Sequence, residues 1–475
     1  MTAVIFPHRR RSGKLESIHT HQMRSPLMSY ARFPARLSTR FSLPPAISLI
    51  AALLILAAPP AHTDEEILWW HAMGGELGQK VDALAAGFNA SQDTYTVRPV
   101  YKGNYSEVLN AAIAAFRAGT QPHIVQVFEV GTATMMTAQN AIYPVYQLMA
   151  DVGEPFDPDA YLPAVASYYT TTDGRLLSLP FNSSTPVFYY NKDAFAKAGL
   201  DPERPPKTWP EMGQAMAAVR DAGYECGFST AWQSWIQIEN FSAWHNLPIG
   251  TQENGFGGLA TELVINSPAH VNHLKTLAEW SQDGRFRYGG RRGDGQGLFT
   301  SGACVGWFHS SAGYASIRDT AEFDFGIAPL PYWPELIDEP QNSIIGGATL
   351  WVLRGHEAYD GVARFFSYLS SRDVQADWHQ FTGYLPITLD AWKATEQSGF
   401  YRQNPGTDVA ISQVTGNSPT ANSKGLRFGS FVQIRDIINE EMEALWAGKK
   451  TAQQALDDAT RRGNELLRRF ERDHS

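Results

Sequence analysis

The stretch Phe181-Asn-Ser-Ser-Thr-Pro-Val-Phe-Tyr-Tyr-Asn-Lys-Asp-Ala-Phe195 decides the fold. A polar, hydroxyl-rich lead-in runs into a dense apolar strand, Val187 to Tyr190, and a helix signal follows from Lys192 to about Ala198. Pro186 bars a helix across the join and biases Thr185 to extended geometry. Polar hydroxyls therefore sit where a buried strand begins, in mid-chain. That pattern is expected where a two-lobed protein crosses from one lobe to the other and shows polar groups to its cleft.

Outward from this point, strand and helix alternate. Glu66 to His71 reads as a strand, and Glu76 to Asn89 as an amphipathic helix with Leu77, Val81, Leu84 and Phe88 on one stripe. A strand at Tyr95 to Tyr101 and a helix from about Tyr105 to Ala118 follow. The apolar run His123 to Val130 is consistent with a buried parallel strand. This alternation predicts a mostly parallel sheet with helices on both faces. Further on, Thr208-Trp-Pro-Glu211 is a capping box with proline in the first turn, opening a helix to Ala222. Thr451-Ala-Gln-Gln454 has the same form and starts a C-terminal helix to about Phe470. Ile344 to Leu353 reads as a strand containing Gly346-Gly347, and Gly289 to Gly297 and Pro329 to Pro340 read as loops. A chain of 475 residues predicts two domains.

The first sixty residues differ. Ala46 to Ala58 carries no charge, four arginines (Arg24, Arg32, Arg36, Arg40) precede it, and small residues and prolines follow. A basic segment, a short apolar core and small residues make a secretory signal peptide. The core is shorter than the roughly 20 residues that span a bilayer. Residues 1–61 hold eight Lys/Arg and one acid, so their removal takes the net charge from −9 to about −16. So acidic a chain is a poor candidate for non-specific nucleic-acid binding. Cys226 and Cys304 lie in strand-like runs. Two readings stand: a disulfide in an oxidising compartment, or two buried free thiols.

Motifs of turnover are missing. The chain has no His-Glu-x-x-His, phosphate loop, zinc-spaced Cys/His cluster or Gly-x-Ser-x-Gly elbow. A dispersed Ser-His-Asp triad or a pair of carboxylates leaves no such local signature.

Several blocks carry a resemblance. They are Tyr101-Lys-Gly-Asn-Tyr105, Val127-Phe-Glu-Val-Gly-Thr-Ala-Thr-Met-Met136, Phe181-Asn-Ser-Ser-Thr-Pro186 and Trp232-Gln-Ser-Trp-Ile-Gln237. Ile344-Ile-Gly-Gly347, Trp378-His-Gln-Phe-Thr-Gly-Tyr-Leu-Pro-Ile387 and Gln433-Ile-Arg435 complete the set. From about Ile67 to Phe470 the chain resembles the glycerol-3-phosphate-binding proteins of bacterial ABC importers, in the large family that includes the maltose-binding protein. It departs in its long leader and at Val305 to His309, where the family text is smaller and more hydroxylated.

The resemblance implies an α/β, two-lobed periplasmic binding protein fold of type II, each lobe a mostly parallel sheet flanked by helices, with the ligand in the interlobe cleft. The implied boundaries are residues 64–180 and 331–384 for the first lobe and 185–327 and 388–475 for the second. The crossings fall near 178–184, 327–331 and 383–387. The implied protein is periplasmic and monomeric and performs no chemistry. It uses no cofactor or metal, binds no nucleic acid, and docks on inner-membrane permease subunits driven by an ATPase. The implied ligand is sn-glycerol 3-phosphate or a glycerophosphodiester such as glycerophosphocholine. A sugar-binding protein of the same fold and an exported glycerophosphodiester hydrolase are the rivals.

The implied ligand residues have bottom-up readings of their own. Glu129 ends an apolar strand, where open α/β sheets place ligand groups, and as an acceptor suits glycerol hydroxyls. The plainer reading is an acid capping a nearby helix. Tyr105 would donate its phenol; otherwise it is a surface tyrosine. Ser184 and Ser310 would donate hydroxyls to phosphate, though a turn serine more often serves its own backbone. Gly347 lets its N–H approach an anion closely; otherwise it marks a β-bulge. Tyr384 would donate to phosphate or be a core tyrosine. Arg435, placed before an apolar-and-acidic helix, matches phosphate in a bidentate way. Its alternative is a salt bridge to Asp436 or Glu440. Trp232 and Trp235 would form an apolar wall or simply pack in the core.

Overall fold

The computed structural model describes residues 65–475, Thr172 excepted. The leader expected over residues 1–61 lies outside the described residues. The first sheet runs β2–β1–β3–β10–β4, with β5 pairing β10 from off that path. Its strands are β1 (Glu65–His71), β2 (Tyr95–Tyr101), β3 (Ile124–Phe128), β4 (Ile142–Tyr143), β5 (Leu179–Ser184) and β10 (Gly346–Leu353). The second sheet runs β7–β8–β6–β9, from β6 (Pro186–Asn191), β7 (Cys226–Thr230), β8 (Cys304–Ser310) and β9 (Phe325–Ala328).

The expected mostly parallel sheets are mixed. β1 pairs β2 and β3 in parallel, the product of the βαβ alternation seen in the sequence. β10 runs antiparallel to β3, β4 and β5 because it re-enters the first sheet from the other lobe. In the second sheet β7 and β8 are parallel, and β6 is antiparallel to β8 and β9. Every residue of β3, β5 and β6 is buried; β3 and β6 are mainly apolar, while β5 also buries the polar Asn182, Ser183 and Ser184 at the crossing. Both capping boxes form: Thr208 and Thr451 each accept from the N3 backbone, and Glu211 and Gln454 return the bond. Register sets Cys226 opposite Cys304 on adjacent strands, 4.5 Å apart at Cα, and the two are joined as a disulfide.

β5 ends at Ser184 in one sheet and β6 starts at Pro186 in the other, so the opening stretch is a lobe crossing at Thr185. The Thr185 hydroxyl donates to Ser343 Oγ at 2.6 Å, tying this crossing to a second. That second crossing comes later than the expected 327–331. Residues 329–343 run along the second lobe, where Trp333 N–H donates to His245 and Ser343 N–H to the Gln413 carbonyl. The third also comes later than 383–387. Leu385 N–H donates to the Ser183 carbonyl, and Gln380 to Thr395 on helix Leu389–Ser398, which keeps that helix with the first lobe. Gly406 then meets Ile327, and Gln413 donates to the Pro186 carbonyl, in the second. Prolines and apolar text along these segments carry no mark of which lobe they cover; what they pack against decides it.

Candidate functional site

The strand ends position the site. β1, β3 and β5 finish at one edge of the first sheet, and antiparallel β10 begins there. β7 and β8 finish at the facing edge of the second. A cavity of about 260 Å³ lies between them. Its first-lobe wall includes Met73, Tyr105, Glu129, Ser184, Gly347 and Tyr384, and its second-lobe wall Trp232, Trp235, Arg292, His309, Ser310 and Arg435. All nine residues expected from the sequence therefore line a single cavity.

Its buried end is a charge cluster. Arg435 Nε and Nη2 donate to the two oxygens of Glu239 at 2.7 and 2.6 Å, and Nη2 also donates to Glu129 Oε1 at 2.6 Å. Relative exposures are 8% for Arg435, 3% for Glu129 and 0% for Glu239. Two carboxylates thus share one guanidinium. Burial opposes the Arg435 charge, but Glu129 and Glu239 outweigh it and hold its pKa above the ordinary value. Burial, with Glu239 as a like charge, pushes the Glu129 carboxyl up against the pull of Arg435. The partners respond unequally because Arg435 gains from two anions while Glu129 shares its cation.

Arg435 lies within helix Phe431–Trp446, not before it. Its partners are neither Asp436 nor Glu440; the latter pairs with Arg462. Glu129 caps no longer helix but opens a single 3₁₀ turn after β3. Glu239 was not anticipated. It sits in Trp235-Ile-Gln-Ile-Glu-Asn240, one turn of π-helix, a geometry frequent at functional sites. A lone carboxylate, the single Asp, Glu, Lys or Arg between Glu225 and Glu253, was the available signal.

A relay of amides holds the first-lobe wall. Ala72 N–H donates to Gln126 Oε1, Gln126 Nε2 to Asn182 Oδ1, and Asn182 Nδ2 to the Tyr105 hydroxyl, at 2.7, 2.7 and 2.8 Å. Tyr105 opens helix Tyr105–Ala118 beneath its Asn104 N-cap and stacks on Phe128 with centroids 5.3 Å apart. Tyr384 stacks on Trp378. Burial raises the pKa of both Tyr105 and Tyr384, so their phenols stay protonated as donors. The Ser184 hydroxyl makes no hydrogen bond among the described residues. Gly347 has φ +99°, and a Cβ there would collide with the Asn182 carbonyl, so only glycine fits. A register irregularity follows at Ala348/Thr349, so the bulge reading holds beside it.

On the second lobe Trp235 packs against Gly346, and Trp232 precedes the helical turn with φ +42°. Ser310 Oγ accepts from Ala312 N–H, the backbone use of a serine, while its residue still faces the cavity. His309 stacks on Trp307 at 4.1 Å, and burial lowers its pKa to about 3, leaving it neutral. His309 and Arg292 are cavity residues that the sequence reading did not single out as ligand groups. Among the described residues no cluster of His, Cys, Asp and Glu is arranged to hold a metal ion.

Residues 83–406 match the family model described as bacterial extracellular solute-binding protein. The chain belongs to that family. It is 52% identical over 428 residues to the sn-glycerol-3-phosphate-binding periplasmic protein UgpB of Yersinia pseudotuberculosis, covering 90% of this chain and 97% of that one. The UgpB of Salmonella paratyphi A is 50% identical over 434 residues, with 90% and 99% covered. Among solved structures, UgpB from Mycobacterium tuberculosis in complex with glycerophosphocholine superposes with a TM-score of 0.71 at 22% identity, covering 86% of this chain and 99% of that one. Maltose-bound MalE3 of T. maritima gives 0.70 at 17%, covering 84% and 99%. At these identities the structures share the two-lobed fold.

Proposed function

We propose that this protein captures sn-glycerol 3-phosphate, and glycerophosphodiesters such as glycerophosphocholine, between its lobes. It then delivers the ligand to the inner-membrane permease subunits of an ABC importer driven by an ATPase. It is exported to the periplasm and works as a monomer without turning its ligand over. The observation that carries this reading is that one small interlobe cavity gathers a buried carboxylate–guanidinium cluster, several hydroxyl donors and two tryptophans. The high identity to glycerol-phosphate-binding relatives supports it.

The roles follow from donor and acceptor character. Glu129 accepts from the glycerol hydroxyls; Arg435, expected at the phosphate, has its Nε and Nη2 taken up by Glu239 and Glu129, so its remaining Nη1 donors serve the glycerol end instead. Tyr105, Ser184, Ser310, Tyr384 and the Gly347 N–H donate to the phosphate oxygens. Trp232 and Trp235 cover the glycerol carbons. Contacts with both lobes favour the closed state, so binding shifts the population toward it. At about 260 Å³ the cavity falls below the roughly 300–1,000 Å³ of drug-sized pockets, which favours a three-carbon ligand over an oligosaccharide.

A calorimetric panel of sn-glycerol 3-phosphate, glycerophosphocholine, inorganic phosphate and maltose tests this. Unit stoichiometry for the glycerol phosphates and no heat with maltose is the expected result. Catalytic loss of the diester would favour the hydrolase reading, and maltose binding the sugar reading.

A further inference from the structure

The buried cluster leaves a charge problem. With both carboxylates ionised, Glu129, Glu239 and Arg435 sum to −1, and protonating Glu129 brings them only to zero. Neither state offsets a phosphate dianion in an acidic protein. His309 is neutral, because burial lowers its pKa to about 3. One other basic residue lines the cavity, Arg292.

Arg292 is held in an unusual way. Its neighbour Arg291 is locked to Glu443 by two bonds of 2.7 and 2.8 Å, and Tyr288 donates to the same carboxylate. Arg292 itself is exposed, and no hydrogen bond or ion pair engages its guanidinium among the described residues. Its backbone is left-handed, φ +54°, in a loop otherwise rich in glycine. Its carbonyl accepts from the Trp232 N–H at 2.9 Å, and Trp232 is left-handed too. Two non-glycine residues in that region, clamped to each other, represent strain of a kind that gathers at binding sites. The next residue, Gly293, packs beside His309, where a Cβ would meet Cε1 at 3.8 Å, so the loop adjoins the His309–Ser310 wall.

We propose that Arg292, not Arg435, supplies the net counter-charge for the ligand's phosphate and sets the preference between monoester and diester. This rests on the glycerol-phosphate reading above. The ligand then lies with its hydroxyls at the buried Glu129 end and its phosphate toward the exposed edge of the cavity. A monoester dianion gains more from Arg292 than a diester monoanion.

The test is calorimetry on wild type, Arg292→Gly and Arg292→Lys at low and high salt. The ligands are sn-glycerol 3-phosphate and glycerophosphocholine. Glycine removes the charge while suiting the left-handed backbone. Arg292→Gly should weaken monoester binding by at least about tenfold at low salt, the scale of a charge-assisted hydrogen bond. It should lose less on the diester and flatten the salt dependence. Arg292→Lys should restore part of the monoester affinity. Wild-type binding with Arg292→Gly within twofold, at unchanged salt dependence, overturns this inference alone. Wild-type protein that binds neither ester overturns the functional reading, and this inference with it.

Discussion

At the buried end of the cavity one guanidinium, Arg435, is shared by Glu129 and Glu239; at the exposed end another, Arg292, has no partner among the described residues. The first is built into the fold. Helix Phe431–Trp446, the π-helical turn and the end of β3 meet through it, so it joins the two lobes as well as lining the site. The second adds charge without adding structure. The contrast teaches that a buried arginine in a binding site is not thereby the cation its ligand feels. Its field is largely spent on its partners, and what remains is a set of directed donors.

The sharpest way to break this contrast is Arg435→Ala. It leaves two carboxylates buried without a counter-ion, which should cost about 3–5 kcal/mol of stability. Ligand binding should weaken by more than about 2 kcal/mol, roughly thirtyfold. Denaturant unfolding and calorimetry read the two separately. Unchanged stability would mean that the cluster does not carry the lobes' junction.

Acid probes burial more widely, at His309 in the cavity and at three histidines away from it. His309, held near 3, and His245, His270 and His379, each held near 4, are neutral in the native protein because burial disfavours their charged forms. Unfolded, they titrate at 6.5. Their contribution is therefore complete above pH 6.5 and is lost as pH falls toward 4 and below. Glu129 has the opposite sign: its pKa is raised, so its contribution is complete below 4.5 and is lost as pH rises through its native value. The histidines outnumber it, so Tm should fall steadily from pH 7 to pH 4. A Tm that is flat across that range would contradict the burial of these imidazoles.

Glu129 separates hydrogen bonding from charge. Glu129→Ala should weaken binding by about 1.5–3 kcal/mol, while Glu129→Gln, which keeps one acceptor oxygen, should lose less. Neither should unfold the protein, because Arg435 keeps its bidentate bond to Glu239. Equal losses would assign the role of Glu129 to its charge. The smallest loss of stability belongs to Arg292→Gly, which removes an exposed, unpaired side chain and suits the left-handed backbone, so no loss beyond about 0.5 kcal/mol is expected.

Much of this was legible in the sequence, for physical reasons. Thr208-Trp-Pro-Glu211 and Thr451-Ala-Gln-Gln454 are local devices, and they form as written. The crossing at Thr185 was visible because Pro186 and the hydroxyl run make a local break. The later crossings were not, because residues 329–343 and 388–403 are placed by what they pack against. The nine cavity residues came from the resemblance, with Glu129 also marked by its place at the end of an apolar strand and Ser184 by its place at the crossing. Glu239 escaped because it stands among mixed apolar and amide residues with no motif around it. Arg292 escaped because an arginine in a glycine-rich loop reads as surface; only the pairing of its neighbour and its own left-handed backbone mark it out.

Titrating sn-glycerol 3-phosphate into the wild-type protein tests the central claim most directly. One ligand bound per chain, recovered unchanged and held more weakly as salt rises, is the predicted result. No binding, or binding indifferent to the loss of the phosphate group when free glycerol is substituted, would contradict it.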